Sequence, residues 1–547
     1  MITPPHPSGD ASRSLRSGFL RFAKDTPAAP ALFVRDVTRS YGELDAAARV
    51  WAAAVTSVVG GPAARVGVFG HRSEVSYTAV VAALYSGAAF VPLNPTFPPA
   101  RTRAMIARGE LDAIIVDRGA AKQLPEVLDG LERVPPILAP EHDSLDIAAA
   151  GRVFTRAEIA RCAPLVDLPA VTPDAIAYLL FTSGSTGVPK GVPVTHGNAM
   201  HFMDWASLRY GITPADRLSQ TFDQTFDLSV FDLFVAWENG ASVYAMQPLD
   251  LLAPVRFVDR HQLTVWFSVP SIPALMRKKN SLKPGVFPSL RWSLFCGEPL
   301  PRASAEAWQD AAPNSIVENL YGPTELTIAC LVHRWDSRRS PALCVNDVVP
   351  IGRPFEGLIE VAADENRRAV ASGETGELCV CGPQTVPGYW KNPEKTAEQF
   401  VTMRRPDGAD DRFYRTGDRV RQLPDGEYVY LGRIDHQVKV LGHRVELAEI
   451  EAAIAQDPGV TQAVALGWPV RDGSAEGIVA FVTGRELEST RIIHAVRATL
   501  PDYMTPKQVF VVDALPLNAN GKIDRPLLTK QLEAGHYSLT GVRAEQS

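Results

Sequence analysis

FTSGSTGVPKG, from Phe181 to Gly191, follows directly on the apolar run AIAYLL. Within this stretch the chain changes from a buried-strand pattern to glycines, four hydroxyl side chains and Lys190. Glycines let backbone N–H groups approach an oxyanion, hydroxyls add donors, and a lysine adds positive charge. The spacing is not that of a Walker A loop, since Pro189 stands five residues after Gly184. By itself the stretch therefore has two interpretations, a phosphate-binding loop or a solvent-exposed flexible turn.

The size and composition of the chain narrow its class. Its 547 residues exceed what one hydrophobic core usually supports, so at least two domains are expected. A hydrophobic fraction of 46% and a charged fraction of 21% are typical of a globular protein. The net charge of -6 disfavours nucleic acid as the main partner. The N-terminus lacks the apolar segment of a signal peptide, and no apolar run approaches the ~20 residues of a membrane span. We expect a cytoplasmic protein with no nucleic-acid or membrane partner.

The order of apolar runs predicts the fold class. ARVGVFG precedes SEVSYTAVVAALYSG, and LTVWFSV precedes PSIPALMRKK, each in a strand-then-helix pattern. Such alternation predicts α/β layers with largely parallel sheets. GELCVCGP, GEYVYLGR and HQVKVLG predict short strands of a barrel or a small antiparallel sheet. The last hundred or so residues alternate helix and strand again and predict a separate small α+β domain. Six cysteines are too few for a disulfide framework in so long a chain.

NLYGPTELT, from Asn319 to Thr327, places an aromatic ring, a Gly-Pro turn, a hydroxyl and a carboxylate side by side. Tyr321 is suited to lie against a purine, and Glu325 to hold a magnesium ion bound to phosphates. The alternative is a type II turn followed by a helix capped by Thr324. For this motif alone both interpretations stay open.

Three further motifs follow toward the C-terminus. YRTGD ends in Asp418, which suits a grip on ribose hydroxyls or, alternatively, an Asx turn. GRIDHQVKVLGHRVELAEIE, from Gly432 to Glu451, is charge-dense and then becomes helical; its alternative is a solvated strand–helix junction. LPLNANGKIDR puts Lys522 on a turn that, in isolation, is typical of a hairpin tip.

These five stretches, in this order, closely resemble the adenylate-forming superfamily. That superfamily comprises acyl- and aryl-CoA synthetases, luciferases and the amino-acid adenylation domains of nonribosomal peptide synthesis. The resemblance runs from about residue 30 to about residue 530 and includes LYSGAAFVPLNP, from Leu84 to Pro95, and LPDYMTP, from Leu500 to Pro506. It implies an enzyme that activates a carboxylate with ATP.

The resemblance also implies a domain organisation and two half-reactions. A large domain, 1–434, should contain two layered α/β subdomains and a distorted β-barrel. A small mobile α+β lid domain, 435–547, should follow, hinged at Asp435. Rotation at this hinge would replace Lys522 in the site by the segment around Gly442 for attack of a thiol on the acyl-adenylate. No cysteine of the chain is required for this chemistry.

ATP and Mg²⁺ are the expected cofactors. The residues expected at the β- and γ-phosphates are Thr182, Ser183, Gly184, Ser185, Thr186, Gly187 and Lys190. The resemblance places Tyr321 and Tyr430 at the adenine, Asp418 and Arg433 at the ribose, Thr324 at the α-phosphate and Glu325 at Mg²⁺. Lys522 should reach between the substrate carboxylate and the α-phosphate, where it neutralises developing charge. Lys190 is expected to be a helper on a mobile loop.

The stretch QTFDLSVFDLFVAW, from Gln224 to Trp237, contains Asp227. By resemblance, Asp227 stands where amino-acid-activating members carry the carboxylate that pairs with the substrate ammonium. A helix N-cap is the alternative. An unpaired buried carboxylate is costly, so an amine substrate is favoured over a plain acid. The other expected pocket residues are Leu228, Phe231, Phe267, Leu294, Cys296, Leu320, Ile328 and Ala329. This apolar set is similar to that of free-standing L-prolyl adenylating enzymes.

Alternatives remain for the substrate and the class of protein. FDLSVFDLF and LFCGEPLP also resemble D-alanine–carrier protein ligases, which makes alanine the second choice. An acyl-CoA ligase and a catalytically inactive homologue are less favoured, because Asp227 and the full set of motifs are present. The short tail after Lys522 leaves no room for a carrier domain. We therefore expect transfer to the phosphopantetheine thiol of a separate carrier protein in natural-product biosynthesis.

Overall fold

The computed structural model describes residues 13–148, 151–184, 189–435, 437–471, 474–517 and 523–537. These residues form two compact units. The first takes in the described residues of Met1–Pro95, Met105–Phe181 and Gly191–Ile434, and the second those of Thr96–Ala104, Thr182–Lys190 and Asp435–Ser547. In the described ranges no helix is both long and apolar enough to cross a membrane.

The first part of the chain alternates strands and helices, as the sequence predicts. Its elements are α1 Ser17–Asp25, β1 Pro30–Val34, β2 Val37–Ser40, α2 Tyr41–Val59, β3 Arg65–Phe69, α3 Glu74–Tyr85, β4 Ala89–Leu93, α4 Pro99–Gly109, β5 Ala113–Val116, α5 Leu124–Leu128, β6 Ile137–Ala139, β7 Val153–Thr155 and α6 Arg156–Ile159. The α2 helix begins at a capping box, in which Ser40 and Glu43 each satisfy the backbone N–H of the other.

The middle of the chain carries the motifs that follow Phe181. Its elements are β8 Ile176–Thr182, β9 Lys190–Thr195, α7 His196–Tyr210, β10 Arg217–Gln220, α8 Leu228–Val230, α9 Ala236–Glu238, β11 Ser242–Ala245, α10 Pro254–His261, β12 Val265–Ser268, α11 Ser271–Lys278, β13 Trp292–Phe295, α12 Arg302–Ala311, β14 Ile316–Tyr321, β15 Leu331–Arg334, α13 Ser340–Leu343 and β16 Arg353–Pro354. A π-helical turn, Phe231–Val235, joins α8 to α9.

The remaining elements are short. They are β17 Ile359–Ala363, β18 Thr375–Cys381, α14 Pro393–Gln399, β19 Phe400–Arg404, β20 Asp410–Gln422, β21 Tyr428–Arg433, β22 Gln437–Val440, β23 His443–Glu446, α15 Leu447–Ile454, β24 Val460–Gly467, β25 Val470–Arg471, β26 Ser474–Ala475, β27 Ile478–Gly484, α16 Ser489–Thr499, β28 Gln508–Val511 and α17 Arg525–Glu533. Single 3₁₀ turns occur at Ala120–Gln123, Asp250–Leu252, Thr324–Leu326 and Asp502–Met504.

Three sheets build the first unit. One sheet has the order β16-β15-β14-β13-β12-β10-β11-β1-β2, and a second has the order β7-β6-β5-β3-β4-β8-β9. Most neighbours in these two sheets are parallel, for example β12 with β13 and β3 with β4. The third sheet, β17-β18-β20-β19 with β21 on β20, is antiparallel. The predicted α/β layers and short antiparallel strands are confirmed.

One hydrophobic cluster runs through all three sheets of the first unit. It includes Phe90 of β4, Leu294 of β13 and Val380 of β18. The α3 helix contributes a buried side chain at every position from Val75 to Tyr85, as expected for a helix that is apolar all round. The carboxyl ends of β10, β12, β13 and β14 therefore carry their loops on a rigid core.

The second unit has its own core. The sheet β24-β27-β28 alternates its side chains between two faces. Ala465 and Ala480 pack with α15 and α16, whereas Val464 and Phe481 pack with α17. A second sheet of this unit has the strand order β23-β22-β26-β25. The predicted α+β character of the C-terminal hundred residues is confirmed.

Candidate functional site

A strained turn follows β14. A Cβ on Gly322 would lie 2.4 Å from the Cα of Ala329, so only glycine fits there. After the 3₁₀ turn Thr324–Leu326, Thr327 and Ile328 have φ values of 58° and 71°. Two successive β-branched residues in the left-handed region are strained, and such strain clusters at functional sites. The 3₁₀ turn has Pro323 at its N-cap position, so the alternative of a helix capped by Thr324 is wrong.

Gln384 holds this turn in place. Its side-chain Nε2 lies within hydrogen-bonding distance, 2.7–3.3 Å, of three carbonyl oxygens, those of Leu326, Thr327 and Ala329. The Thr327 hydroxyl in turn donates to the Gln384 carbonyl at 2.7 Å. Gln384 is fully buried, so these bonds are shielded from water. They bracket Ile328, whose backbone N–H donates to a carboxylate outside the turn.

The Asp227 carboxylate receives that N–H. Asp227 lies just before α8 and is 5% exposed. Asp227 occupies the N-cap position of α8, but its side chain makes no capping hydrogen bond, and its Oδ2 instead accepts the Ile328 N–H at 2.9 Å. Burial raises the pKa of Asp227 to about 6, with a further rise from the nearby Glu325 charge; the Ile328 N–H and the Thr324 hydroxyl act in the opposite direction. A buried, incompletely compensated carboxylate suits a cationic ligand.

The predicted pocket residues lie in the apolar core of the first unit, and one of them, Ile328, contacts the Asp227 carboxylate through its backbone N–H. All of them are buried members of one cluster, namely Leu228, Phe231, Phe267, Leu294, Cys296, Leu320, Ile328 and Ala329. Phe222, which the sequence did not identify, joins them. Its ring centroid lies 4.8 Å from that of Phe267, which in turn lies 4.6 Å from Phe231. Among these side chains only the Cys296 thiol is even weakly polar, so a polar substrate side chain would stay unpaired there.

Glu325 is the candidate metal ligand. Its side chain is fully buried, and its Oε1 accepts the Tyr389 O–H at 2.8 Å. In the described residues no group of three or more His, Cys, Asp or Glu side chains could hold a metal ion. A single carboxylate fits Mg²⁺ nevertheless, because Mg²⁺ commonly takes one or two carboxylates together with substrate phosphates and water. Glu325 would supply that one protein ligand.

The residues expected at adenine and ribose meet at the end of β14 and the β20–β21 pair. Asp418 lies within β20, opposite Arg433 of β21, so the Asx-turn alternative is wrong. Arg433 Nη1 donates to Asp418 Oδ1 at 2.8 Å, and the Tyr321 O–H donates to Asp418 Oδ2. Burial beside Asp418 raises the pKa of Tyr321 well above its ordinary value. Tyr430 lies on β21 opposite Val420. The Asp418 carboxylate is thereby oriented by two donors.

The glycine-rich stretch is only partly described. Ser185, Thr186 and Gly187 lie outside the described residues. Thr182 is the last residue of β8, and Ser183 and Gly184 are buried. Lys190 was expected on a mobile loop, but it is the first residue of β9 and only 9% exposed. Every position of β9, Lys190–Thr195, is buried, so the strand includes the lysine that the glycine-rich pattern assigned to the loop.

Within the second unit, the start of the glycine-rich stretch is hydrogen-bonded to the C-terminal segment. The Gly184 N–H donates to Glu449 Oε2 at 3.2 Å, and the Ser183 hydroxyl donates to the Arg444 carbonyl at 2.7 Å. Glu449 also pairs with Arg101 at 2.7 Å, with side-chain exposures of 0% and 4%. The sequence did not identify Arg101 or Glu449. The Glu449 carboxylate thus accepts the Gly184 N–H, which the resemblance places at the phosphates of ATP.

The three remaining sites belong to the C-terminal segment. Gly442 has a φ of 86° and follows Leu441 with a φ of 50°, in the two-residue turn between β22 and β23. Asp435 accepts the Gln437 N–H at 3.1 Å. Lys522 lies outside the described residues.

The pKa of Asp227 predicts how amine binding depends on pH. Its ordinary pKa is 3.8 and its folded pKa about 6, so the carboxylate is charged only above about pH 6. An ammonium group needs the charged form. We therefore expect the KM for an amine substrate to rise about tenfold per pH unit below about pH 6. ATP–pyrophosphate exchange measured from about pH 5 to about pH 8 tests this; a KM that stays flat below pH 6 would contradict it.

Comparison with known proteins agrees with this arrangement. The family model described as "AMP-binding enzyme" matches residues 19–390, and the model "AMP-binding enzyme C-terminal domain" matches residues 449–522. Together they take in the glycine-rich stretch, NLYGPTELT and Lys522.

Two relatives match over most of their length. An L-proline–[L-prolyl-carrier protein] ligase from Pseudomonas fluorescens is 34% identical, covering 90% of this chain and 94% of the relative. A ligase of the same name from Streptomyces coelicolor is 35% identical, covering 92% and 95%. Among solved structures, the Vibrio cholerae adenylation domain AlmE in complex with glycyl-adenosine-5'-phosphate is 30% identical, with a TM-score of 0.82 and coverage of 97% and 99%. The chain belongs to the AMP-binding enzyme family.

Proposed function

We propose that this chain is an ATP-dependent ligase that activates a small apolar amino acid, with L-proline favoured, and transfers it to the phosphopantetheine thiol of a separate carrier protein. The observation that carries the proposal is the buried Asp227 carboxylate, which lies beside Thr324 and Glu325 and accepts the N–H of Ile328, one of the apolar residues predicted for the pocket. An amino-acid substrate needs a protein carboxylate that pairs with its ammonium group, and Asp227 fills this role in the proposal. Its own carboxylate must be activated by ATP, and Thr324 and Glu325 are proposed to bind the α-phosphate and Mg²⁺.

In the first half-reaction, a substrate carboxylate oxygen attacks the α-phosphorus of ATP. The bond from that phosphorus to the bridging oxygen breaks, and pyrophosphate leaves with the electron pair. Thr324 binds the α-phosphate, Glu325 supports the Mg²⁺ that accompanies ATP, and Asp418 with Arg433 holds the ribose. Lys522 neutralises the charge that develops between the two anions. The glycine-rich stretch from Thr182 to Lys190 holds the phosphates that leave.

In the second half-reaction, the carrier thiol attacks the acyl carbonyl of the aminoacyl-adenylate. A carbon–sulfur bond forms, the bond to the phosphate oxygen breaks, and AMP leaves. We propose that the chain acts as a large domain, 1–434, and a lid domain, 435–547, with Asp435 as the hinge. Rotation there exchanges Lys522 for the segment around Gly442. In the left-handed turn of Leu441 and Gly442, the glycine leaves one of the two turn positions without a side chain.

The pocket composition favours L-proline, and two relatives with L-proline ligase names support that choice. A pyrrolidine ring presents only CH₂ groups to Phe231, Phe267 and Leu294, so no polar atom is left unpaired. Alanine is the second candidate, because the rings of Phe222 and Phe231 both pack closely on Phe267, with centroid distances of 4.8 and 4.6 Å. Closely packed rings suit a side chain smaller than a pyrrolidine ring.

Amino-acid-dependent ATP–pyrophosphate exchange across the common amino acids tests the proposal. We expect the highest kcat/KM with L-proline, and a value at least about tenfold lower with alanine, since each buried CH₂ contributes about 0.8 kcal/mol. A clear alanine signal without a proline signal would remove the prolyl assignment. Exchange with none of the amino acids would remove the proposed activity as a whole.

A further inference from the structure

Tyr389 contacts the candidate metal ligand from a part of the chain that the motifs do not include. Its hydroxyl donates to Glu325 Oε1 at 2.8 Å, and both side chains are buried, 5% and 0% exposed. The backbone of the same segment adds a second bond, from the Val386 N–H to the Glu325 carbonyl at 3.1 Å. Glu325 is therefore held at its main chain and at its carboxylate by one short segment.

The Tyr389 ring is itself fixed in position. Its backbone N–H donates to the Thr396 hydroxyl at 2.9 Å, in the first turn of α14. A Cβ on Gly388, where φ is 146°, would lie 2.5 Å from the Thr396 side chain, so the chain can approach α14 only with glycine there. The ring packs edge-on against Phe400 with centroids 5.6 Å apart. A hydroxyl on so constrained a ring defines one direction of hydrogen bonding.

A carboxylate that binds a metal through one oxygen must be prevented from rotating. A donor on the other oxygen does this, and residues that hydrogen-bond to ligating carboxylates commonly change metal affinity 10–100-fold when altered. A charge-assisted O–H···O⁻ bond is also stronger than a neutral one. Since the Tyr389 hydroxyl is placed on Oε1, it selects the orientation in which Glu325 presents its second oxygen.

We propose that Tyr389 is a positioning residue for Glu325: its O–H bond to Oε1 sets the carboxylate orientation that the divalent ion accompanying ATP requires. The inference rests on the proposed function in one respect, that Glu325 serves the metal. It concerns a residue outside the stretches that the sequence identified, and it assigns Tyr389 a role in metal affinity separate from amino-acid recognition.

The test compares Tyr389→Phe with a matched control, Tyr85→Phe. Tyr85 is also fully buried and also donates its hydroxyl to a carboxylate, that of Asp45, at 2.7 Å. Mn²⁺ is titrated into the protein with α,β-methylene-ATP, and binding is followed by electron paramagnetic resonance. We expect Tyr389→Phe to weaken Mn²⁺ binding at least about tenfold and to raise the Mg²⁺ concentration for half-maximal exchange, with the KM for the amino acid within about twofold of wild type. Tyr85→Phe should leave the Mn²⁺ affinity unchanged.

A double-mutant cycle separates positioning from a general structural effect. With Glu325→Gln as the background, the further change Tyr389→Phe should not alter Mn²⁺ binding, because the coupled carboxylate is gone. Unchanged Mn²⁺ affinity in the single variant, or an equal loss in both backgrounds, would overturn the proposal. The Mn²⁺ measurement needs no amino acid, so it stands even if exchange shows that the proposed substrate is wrong.

Discussion

Asp227→Asn is expected to lower kcat/KM for L-proline by about 10²–10³-fold in ATP–pyrophosphate exchange. Removing one partner of a buried charge pair costs about 2–5 kcal/mol, because the other charge is left without compensation. The other residues predicted for the pocket carry no charge, so they offer the substrate ammonium no second counter-ion. The effect should fall on amine substrates alone. Cyclopentanecarboxylate, which has the ring of proline without its nitrogen, should be activated by the variant at least as well as by the wild type.

Asp232→Asn is the matched control for this change. Asp232 lies five residues further along and is fully buried, and its carboxylate accepts the Thr221 N–H at 3.1 Å. Burial raises the pKa of Asp232 well above its ordinary value, which favours the neutral form of the carboxyl group that an amide resembles. The kcat/KM of Asp232→Asn for L-proline should stay within about threefold of wild type if Asp227 alone binds the ammonium group. Equal losses in both variants would attribute the effect to folding, and loss of the amine-free acid in Asp227→Asn would remove the ammonium-binding role.

Lys522→Ala is expected to reduce adenylation by about 10³-fold while leaving thiol transfer from preformed prolyl-adenylate within about threefold. In the proposed function the lysine offsets repulsion between the substrate carboxylate and the triphosphate, an effect confined to the first half-reaction; single groups of this kind are worth about 3–4 kcal/mol. Exchange assays report the first half-reaction. Single-turnover transfer to a phosphopantetheine-bearing carrier protein reports the second.

Lys190→Ala provides the comparison. Lys190 is the first residue of β9 and buried, and it contributes to the electrostatic environment of Glu446, whose pKa is raised chiefly by burial. We expect a moderate loss of adenylation, about tenfold, since Lys190 serves the phosphates that leave rather than the one that is attacked. A melting curve accompanies the assay because the position is in a strand. If Lys190→Ala proved more damaging than Lys522→Ala, or if Lys522→Ala impaired both half-reactions equally, the division of roles would be wrong.

The sequence alone predicted the α/β layers, because they follow from local patterns. RVGVF in β3 and VWFS in β12 are short apolar runs, and each is followed by a helix-length segment. It also proposed Asp227, Glu325 and Asp418 as site residues, through the resemblance of their motifs to those of a family. Its errors are local as well. Lys190 was assigned to a loop because glycines and a proline precede it, yet strand pairing begins at that residue.

What the sequence determined is thus the family, the class of reaction and the residue types that carry it. Only the tertiary structure decided which groups meet: Asp227 with the N–H of Ile328, 101 residues away, and Glu325 with the hydroxyl of Tyr389, 64 residues away. It also showed that Thr327 and Ile328 are left-handed, against their β-branched preference, because Gln384 bonds to the turn from a distant segment. Spacing and propensity describe neighbours along the chain. Contacts across such separations depend on how the sheets pack around one core, which no local pattern contains.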